Sequence, residues 1–190
     1  MTGDFTDDSK AALRTRVRLA RAARSVAERE AAGPALADRV LALPSLSDAR
    51  RVALYSSMAT EPDTAPLLRR IAASHRELLL PRIRGEDLEW VVVTQDTTYV
   101  TGAFGITEPT DGHVAPLSTA DVIVIPALSV DGTGMRLGQG GGYYDRALSA
   151  IAAPVIALVF DDELPAVVPS ESHDHRVDVI VTPSRTIVIS

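Results

Sequence analysis

Apolar and polar residues alternate along this chain in blocks that predict strands and helices in turn. Short apolar runs, rich in β-branched residues, predict strands at residues 51–56, 77–80, 88–94, 121–125, 154–160 and 177–181. Helical spacing predicts helices at residues 7–32, 34–43, 62–75 and 143–152. This alternation predicts an α/β fold: a single-domain three-layer sandwich with a mainly parallel sheet and helices on both faces.

The length of 190 residues fits one domain, so we expect residues 1–190 to fold together, with a basic helix in residues 1–33 packed on an α/β core. The chain has no cysteine, which excludes disulfide frameworks, zinc–thiolate sites and cysteine nucleophiles. No apolar run is long enough to span a membrane, and the N-terminus lacks the apolar core of a signal peptide. We therefore expect a cytoplasmic protein with no membrane partner.

Charge is distributed unevenly. Nineteen basic and 25 acidic residues give a net charge of −6, which argues against a nucleic-acid partner. Residues 10–24 hold six basic and no acidic residues; without them 13 basic and 25 acidic residues remain, a net charge of −12. The sequence thus predicts a basic helix on an acidic body.

Six of the 12 glycines lie between Gly132 and Gly142, directly after the predicted strand at residues 121–125. Glycines let a backbone approach a ligand closely, and their N–H groups can form an anion-binding nest. Arg136 adds a guanidinium suited to phosphate oxygens. The pattern predicts a phosphate-binding loop that is neither a Walker A motif nor a GxGxxG motif. The alternative is a flexible surface loop.

Asp145 lies in the first turn of the helix predicted after this loop. A carboxylate beside phosphates repels them unless a cation bridges the two, and Mg²⁺ commonly combines one or two carboxylates with substrate phosphates. The alternative is an ordinary acidic residue favoured by the helix dipole. None of the four histidines (His75, His113, His173 and His175) has a metal-ligand spacing.

RLGQGGGYYDR at residues 136–146, preceded by DVIVIPALSVDGTG, resembles the signature of the 5-formyltetrahydrofolate cyclo-ligase family. Other segments resemble the family in the same order along the chain: KAALR, YSSMATEPDT, LLLPR, LEW, GITEP and VPSESHDHRVDVIVT. The resemblance implies a small enzyme that uses ATP and Mg²⁺ to cyclise 5-formyltetrahydrofolate to 5,10-methenyltetrahydrofolate, releasing ADP and phosphate. ATP and a reduced folate are the implied partners. We expect a monomer, with a homodimer as the alternative.

The resemblance also implies roles for individual residues. The implied ATP-binding residues are Lys10, Arg14, Arg136, Leu137, Gly138, Gln139, Gly140, Gly141, Gly142, Tyr143 and Tyr144, with Arg136 also catalytic. The implied magnesium positions are Asp145 and Asp174. Many family members carry lysine where this chain has Gly141. The glycine therefore removes one cation that could face the phosphates. The other arginines of the basic helix, Arg16, Arg18 and Arg24, are expected to form a solvated face.

The folate-binding residues implied by the resemblance are Glu61 and Ser56, and the aromatic rings of Tyr143 and Trp90 are candidates for stacking on the pterin or aminobenzoyl ring. A carboxylate suits the pterin edge, since it can accept hydrogen bonds from the amino group and the ring N–H together. The alternatives are that Glu61 helps to start the following helix and that Trp90 packs in the core.

Two other classes of protein remain open from the sequence. One is another α/β enzyme, such as a sugar-phosphate isomerase or a CoA transferase, neither of which needs ATP. The other is a non-catalytic folate- or nucleotide-binding protein, or one that uses its basic helix on RNA.

Overall fold

The computed structural model describes residues 4–102, 105–172 and 174–189, with side chains from residue 9 onward. Its described helices are α1 (Asp4–Ala23), α2 (Val26–Leu41), α3 (Pro44–Ser47), α4 (Ala65–Ala72) and α5 (Tyr143–Leu148). A 3-10 turn covers Leu117–Thr119. The described strands are β1 (Arg51–Ala53), β2 (Glu77–Arg84), β3 (Asp87–Val93), β4 (Tyr99–Thr101), β5 (Thr107–Pro109), β6 (Val122–Pro126), β7 (Ser129–Val130), β8 (Arg136–Leu137), β9 (Val155–Leu158), β10 (Val179–Val181) and β11 (Thr186–Val188).

Within the described residues, seven strands form one sheet in the order β11-β10-β9-β6-β1-β2-β3. The four inner pairings, from β10 through β9, β6 and β1 to β2, are parallel. The two outer pairings, β2 with β3 and β10 with β11, are antiparallel. The predicted mainly parallel sheet is confirmed. Two short ribbons, β4–β5 and β7–β8, lie outside it.

The sheet separates two apolar cores, which gives the predicted three layers. On one face, α2, α3 and α4 bury side chains such as Leu36 and Ile71 against Val124. On the other face, α5 and the 3-10 turn bury Leu148 and Leu117 in a second cluster with strand residues. Because the inner strands are covered on both faces, their sequences are apolar without alternation.

The prediction of one helix over residues 7–32 that stops at Gly33-Pro34 is wrong. The helix breaks at Ser25, whose side chain accepts a hydrogen bond from the Glu28 backbone N–H while the Glu28 carboxylate accepts one from the Ser25 N–H. This capping box starts α2, and Pro34 lies inside it. Gly33 lies where α2 meets the start of α4: a Cβ there would be 3.0 Å from the Asp63 carbonyl oxygen. The glycine therefore permits close packing and does not mark a helix end.

Other boundaries differ by a few residues. The chain leaves the sheet soon after Ala53, so Ser56 lies in the loop that follows β1. Helix α5 ends at Leu148, four residues before the predicted end. Five strands of two or three residues were not predicted because they are too short to show a periodic pattern: β4, β5, β7, β8 and β11.

Helix α1 packs on the sheet's carboxyl edge through Leu13 and Val17, which form a third apolar cluster with residues on either side of the β7–β8 ribbon. Leu128, Met135 and Leu137 belong to this cluster. These contacts fix α1 against the glycine-rich segment. No helix in the described part of the chain has the length and apolar content needed to cross a bilayer.

Candidate functional site

The glycine-rich segment is built as a short ribbon followed by an open loop. Strand β6 leads into β7, which pairs with β8, and residues 138–142 then connect β8 to α5. The buried Asp131 carboxylate fixes the turn of the ribbon by accepting hydrogen bonds from Thr133 and from the N–H groups of Met135 and Val168. Burial alone would raise the pKa of Asp131, but these hydrogen bonds outweigh it and lower the pKa.

Residues 138–142, which we call the glycine loop, leave their amides unused. Across the described residues, none of the five backbone N–H groups donates to a protein acceptor. Gly140 and Gly142 have φ angles of 105° and 68°, which strongly favour glycine. A Cβ on Gly138 would lie 2.9 Å from the Arg136 guanidinium. The glycines thus keep the loop close to Arg136 and leave donors available to an anion.

Arg136 and Asp145 close the two ends of the glycine loop. Arg136 is on β8, Asp145 is in the first turn of α5, and the guanidinium donates to Asp145 Oδ1 over 2.6 Å. Arg136 is 5% exposed, and its Nε has no hydrogen-bond partner among the described residues. The predicted catalytic arginine and the predicted metal ligand therefore form one ion pair beneath the loop.

Four cations of α1 share one helix face, and each contacts the body of the protein. Lys10 Nζ lies 2.7 Å from both Glu171 and Asp174. Arg14 donates to the Gly138 carbonyl oxygen, and Arg18 donates to Gln139. Arg21 pairs with Glu163. We call Lys10, Arg14, Arg18 and Arg21 the cation row.

The expectation of a solvated face holds for Arg18, which is exposed although it contacts the loop, and is wrong for Arg24, whose side chain is 15% exposed. Arg18 holds both the backbone and the side-chain oxygen of Gln139 at 2.9 Å. Arg24 pairs with Asp162 over 2.7 Å, and its guanidinium lies 3.9 Å from the centre of the Phe160 ring. Arg16 is exposed as expected. The spacing of 10, 14, 18 and 21 was visible in the sequence, but the partners of these residues are distant in the chain.

Lys10 and Asp174, predicted for ATP and magnesium respectively, contact each other. Lys10 is 4% exposed. Burial would lower the pKa of Lys10, but its hydrogen bonds to Asp174 and Glu171 outweigh burial and raise the pKa. Asp174 Oδ2 also accepts from the Glu171 backbone N–H. In this structure both predicted residues are thus engaged by protein partners.

Glu61, the predicted folate-binding acid, is 5% exposed in the loop after β1. One carboxylate oxygen accepts from the Met58 N–H at 3.0 Å, and the other lies 3.5 Å from Gln139 Nε2. Burial raises the pKa of Glu61, while the Met58 N–H and the charge of Arg21 act in the opposite direction. Ser56 is partly buried in the same loop. The predicted folate and ATP residues therefore meet at the contact between Glu61 and Gln139.

The aromatic candidates occupy two different environments. Trp90 is 3% exposed and meets Tyr144 edge to face, with ring centres 6.4 Å apart, so it packs in the core as the alternative predicts. Burial and the nearby Glu61 charge raise the pKa of Tyr144. Tyr143 is partly buried, with the Arg146 guanidinium 5.2 Å from its ring centre. Leu137 is 1% exposed, so only its backbone can face a ligand.

Gly141 leaves room for the ring of Tyr143. A Cβ at this position would lie 3.0 Å from two carbon atoms of that ring. A lysine at position 141 would therefore require the Tyr143 ring to move. Gly141 therefore permits the position that the Tyr143 ring has in this structure.

A magnesium site made by protein groups alone is not present in the described parts of the chain, which contain no cluster of three or more His, Asp or Glu side chains placed to hold a metal. His173 lies outside the described residues. Asp145 nevertheless fits as one ligand of an ion that takes its other ligands from phosphates and water. Its side chain is 20% exposed, and the contact with Arg136 uses Oδ1, which leaves Oδ2 for the ion.

Comparison with known proteins identifies the family of this chain. The model of the 5-formyltetrahydrofolate cyclo-ligase family matches residues 6–183. A 5-formyltetrahydrofolate cyclo-ligase from Mycolicibacterium smegmatis is 37% identical, over 95% of this chain and 96% of its own, and one from Escherichia coli K12 is 29% identical, over 89% and 97%. The solved structure of Aquifex aeolicus 5,10-methenyltetrahydrofolate synthetase is 30% identical and superposes with a TM-score of 0.85, covering 95% of this chain and 92% of its own. The chain therefore belongs to the 5-formyltetrahydrofolate cyclo-ligase family, a family of ligases.

Proposed function

We propose that this enzyme uses ATP and Mg²⁺ to cyclise 5-formyltetrahydrofolate to 5,10-methenyltetrahydrofolate, with release of ADP and phosphate. The observation that carries the proposal is the contact of Gln139 with Glu61, 3.5 Å between side-chain atoms. This contact joins the glycine loop, whose backbone donors have no acceptor among the described residues, to a buried carboxylate suited to a pterin edge. A phosphate donor and a folate bound to these two groups would be neighbours, as direct phosphoryl transfer between them requires.

The proposed reaction has two steps. The formyl oxygen on nitrogen 5 attacks the γ-phosphorus of ATP, ADP leaves, and an imino-phosphate forms. Nitrogen 10 then attacks the formyl carbon and gives up its proton to solvent, and phosphate leaves with the former formyl oxygen. No protein nucleophile is needed in either step, so the work of the protein is alignment and stabilisation of charge.

Arg136, Arg14 and the glycine loop are proposed to stabilise the transferring phosphoryl group. The amides of residues 138–142, which have no acceptor in the described parts of the chain, can supply donors to a ligand. Arg136 Nε lacks a protein partner within the described chain, so this buried cation has a donor left for an oxygen of the ligand. Both features are typical of a site arranged for an anion before the anion arrives.

Mg²⁺ is proposed to be held by Asp145, with Asp174 as a second position. When bound, the ion neutralises charge between phosphate oxygens. Asp174 is joined to Lys10 at 2.7 Å. Because Mg–ATP brings both a cation and an anion, it offers new partners to both members of this pair: the ion to the carboxylate and the triphosphate to the lysine.

The proposal is tested by the absorbance of methenyltetrahydrofolate in a reaction with 5-formyltetrahydrofolate. We expect product only when ATP is present and a markedly lower rate when Mg²⁺ is omitted. Tight folate binding with no turnover would favour the alternative, a non-catalytic folate- or nucleotide-binding protein. Failure to bind folate at all would favour another α/β enzyme that needs no ATP.

Arg136→Ala is expected to lower kcat/KM by about two decades or more, roughly 3 kcal/mol, because it removes a donor to the transferring phosphoryl group. Arg16→Ala is the matched control, since it removes the same charge from an exposed position. Steady-state kinetics with varied ATP measures both variants. Near-wild-type turnover by Arg136→Ala would remove this residue from the chemistry.

Glu61→Gln is expected to raise the KM for folate roughly 10- to 100-fold, as for loss of a charge-assisted hydrogen bond, and to stabilise the ligand-free protein at pH 7–8. The pKa of Glu61 is raised in the folded state, so wild-type stability falls as pH rises from the unfolded pKa through the folded one. Glutamine carries no charge to bury, so its advantage disappears as the pH falls toward about 4.5.

Thermal unfolding of Glu61→Gln as a function of pH, beside the exposed control Glu30→Gln, measures the second effect. If the difference in stability between the variant and wild type does not depend on pH, the folded protein does not bury the Glu61 charge.

A further inference from the structure

Arg146, in the last turn of α5, connects the glycine loop to the hairpin turn between β2 and β3. Its Nη1 donates to the Gly141 carbonyl oxygen over 3.2 Å, and its Nη2 donates to the Glu86 carbonyl oxygen. Its Nε lies 3.5 Å from Asp87 Oδ1. Each of the three guanidinium nitrogens therefore faces a protein oxygen, whereas Arg136 keeps one nitrogen without a partner in the described chain. Arg146 is thus suited to hold protein groups in place.

The guanidinium of Arg146 packs against the end of the glycine loop. A Cβ on Gly142 would lie 2.7 Å from Arg146 Nη1, and Gly142 has a φ of 68°, which a side chain would strain. On the same side chain, the central guanidinium carbon lies 5.2 Å from the centre of the Tyr143 ring. Glycine at position 142 therefore gives the arginine access to the peptide group between Gly141 and Gly142.

Three carbonyl oxygens of the glycine loop accept hydrogen bonds from arginines, while the N–H groups of the loop have no acceptor among the described residues. The three pairs are Gly138 with Arg14 at 3.1 Å, Gln139 with Arg18 at 2.9 Å and Gly141 with Arg146 at 3.2 Å. In a trans peptide group the carbonyl and the N–H of the following residue point in opposite directions. The bond from Arg146 to Gly141 therefore turns the Gly142 N–H away from the guanidinium and leaves it as a donor for a ligand.

The peptide group between Gly141 and Gly142 needs an outside partner to keep this orientation. Glycine on both sides lets the group rotate at little steric cost. Half a turn would put the carbonyl oxygen where the N–H had been, and an oxygen there would repel a phosphate. The hydrogen bond from the charged Arg146 opposes this rotation, because the carbonyl would lose its donor.

We propose that Arg146 is a positioning residue: it fixes this peptide group so that the Gly142 N–H donates to an oxygen of the transferring phosphoryl group. The inference rests on the proposed function, in which the glycine loop binds ATP. A donor that already has its final orientation stabilises the transition state without reorganisation at the moment of reaction. Loss of Arg146 should therefore lower kcat more than it raises the KM for ATP.

Lysine at position 146 separates this role from a simple effect of charge. The arginine fork reaches the carbonyl oxygens of Gly141 and Glu86 with two nitrogens at once, whereas lysine has a single nitrogen and cannot bridge them. If Arg146 acted only by attracting the triphosphate, Arg146→Lys would keep wild-type activity. If it acts as a bridge, Arg146→Lys should resemble Arg146→Ala.

The test is steady-state kinetics with varied Mg–ATP at saturating 5-formyltetrahydrofolate, for Arg146→Ala and Arg146→Lys beside wild type. Arg84→Ala is the matched control, since it removes the same charge from an exposed position beside the same hairpin turn. We expect both Arg146 variants to lose about 10- to 100-fold in kcat, with a KM for ATP within about threefold of wild type. The control should keep wild-type values.

Two further measurements separate positioning from stability. In ¹H–¹⁵N spectra, Mg²⁺ with a non-hydrolysable ATP analogue should shift the Gly142 amide resonance in wild type and not in Arg146→Ala. The melting temperature of Arg146→Ala should stay within about 2 °C of wild type, because the Arg146 side chain is 44% exposed.

Wild-type kinetics of Arg146→Ala would overturn the inference, and full activity of Arg146→Lys would assign the residue to charge alone. A lower melting temperature together with a retained Gly142 shift would assign Arg146 to the stability of α5. These three results leave the proposed function intact. Absence of ATP-dependent product from the wild-type protein would refute that function, and this inference with it.

Discussion

The attachment of α1 to the glycine loop is the interaction on which the arrangement of the site depends. The loop has glycines at positive φ, and its five amides have no acceptor among the residues that the structure describes, so little within it fixes its position. Arg14 and Arg18 hold the carbonyl oxygens of Gly138 and Gln139 from outside, and Leu13 and Val17 anchor the helix beside the β7–β8 ribbon. A loop that must stay open for an anion is therefore positioned by another element.

The cation row also explains the uneven charge of the chain. Residues 10–24 hold six basic residues, and the rest of the chain has a net charge of −12. The cation row contacts that acidic body through Glu171, Asp174 and Glu163. The Arg21–Glu163 pair is almost fully buried, so its geometry is strongly constrained: losing one partner would leave an uncompensated charge. The same contacts place cations beside the proposed anion site. One set of residues therefore serves both folding and the proposed binding.

Much of the fold was predictable because its signals are local. The apolar run at residues 121–125 gave β6, and the glycine-rich motif located the loop after it. The sequence also contains the Ser25–Glu28 capping box at which the helix breaks, and the prediction of a single helix over residues 7–32 did not take it into account. That pair is used for packing of α2 on α4, a tertiary contact that no local pattern reveals.

The sequence predicts candidate site residues but not the contacts among them. Lys10 and Asp174 were assigned to different ligands, and the structure joins them at 2.7 Å across 164 positions of sequence. Tyr55 resembles any core tyrosine after a strand until its hydroxyl is found without a hydrogen-bond partner among the described residues. Such features depend on which side chains remain unsatisfied after folding, and that is known only when every neighbour has been placed.

The most direct test of the central claim is the mobility of the glycine loop measured by ¹⁵N relaxation in Arg14→Ala/Arg18→Ala, beside the control Arg16→Ala/Arg69→Ala, which removes the same charge from exposed positions. If α1 positions the loop, the amide order parameters of residues 138–142 should fall from about 0.85 to below roughly 0.6 in the first variant only. Order parameters that stay at the wild-type values in both variants would contradict the account.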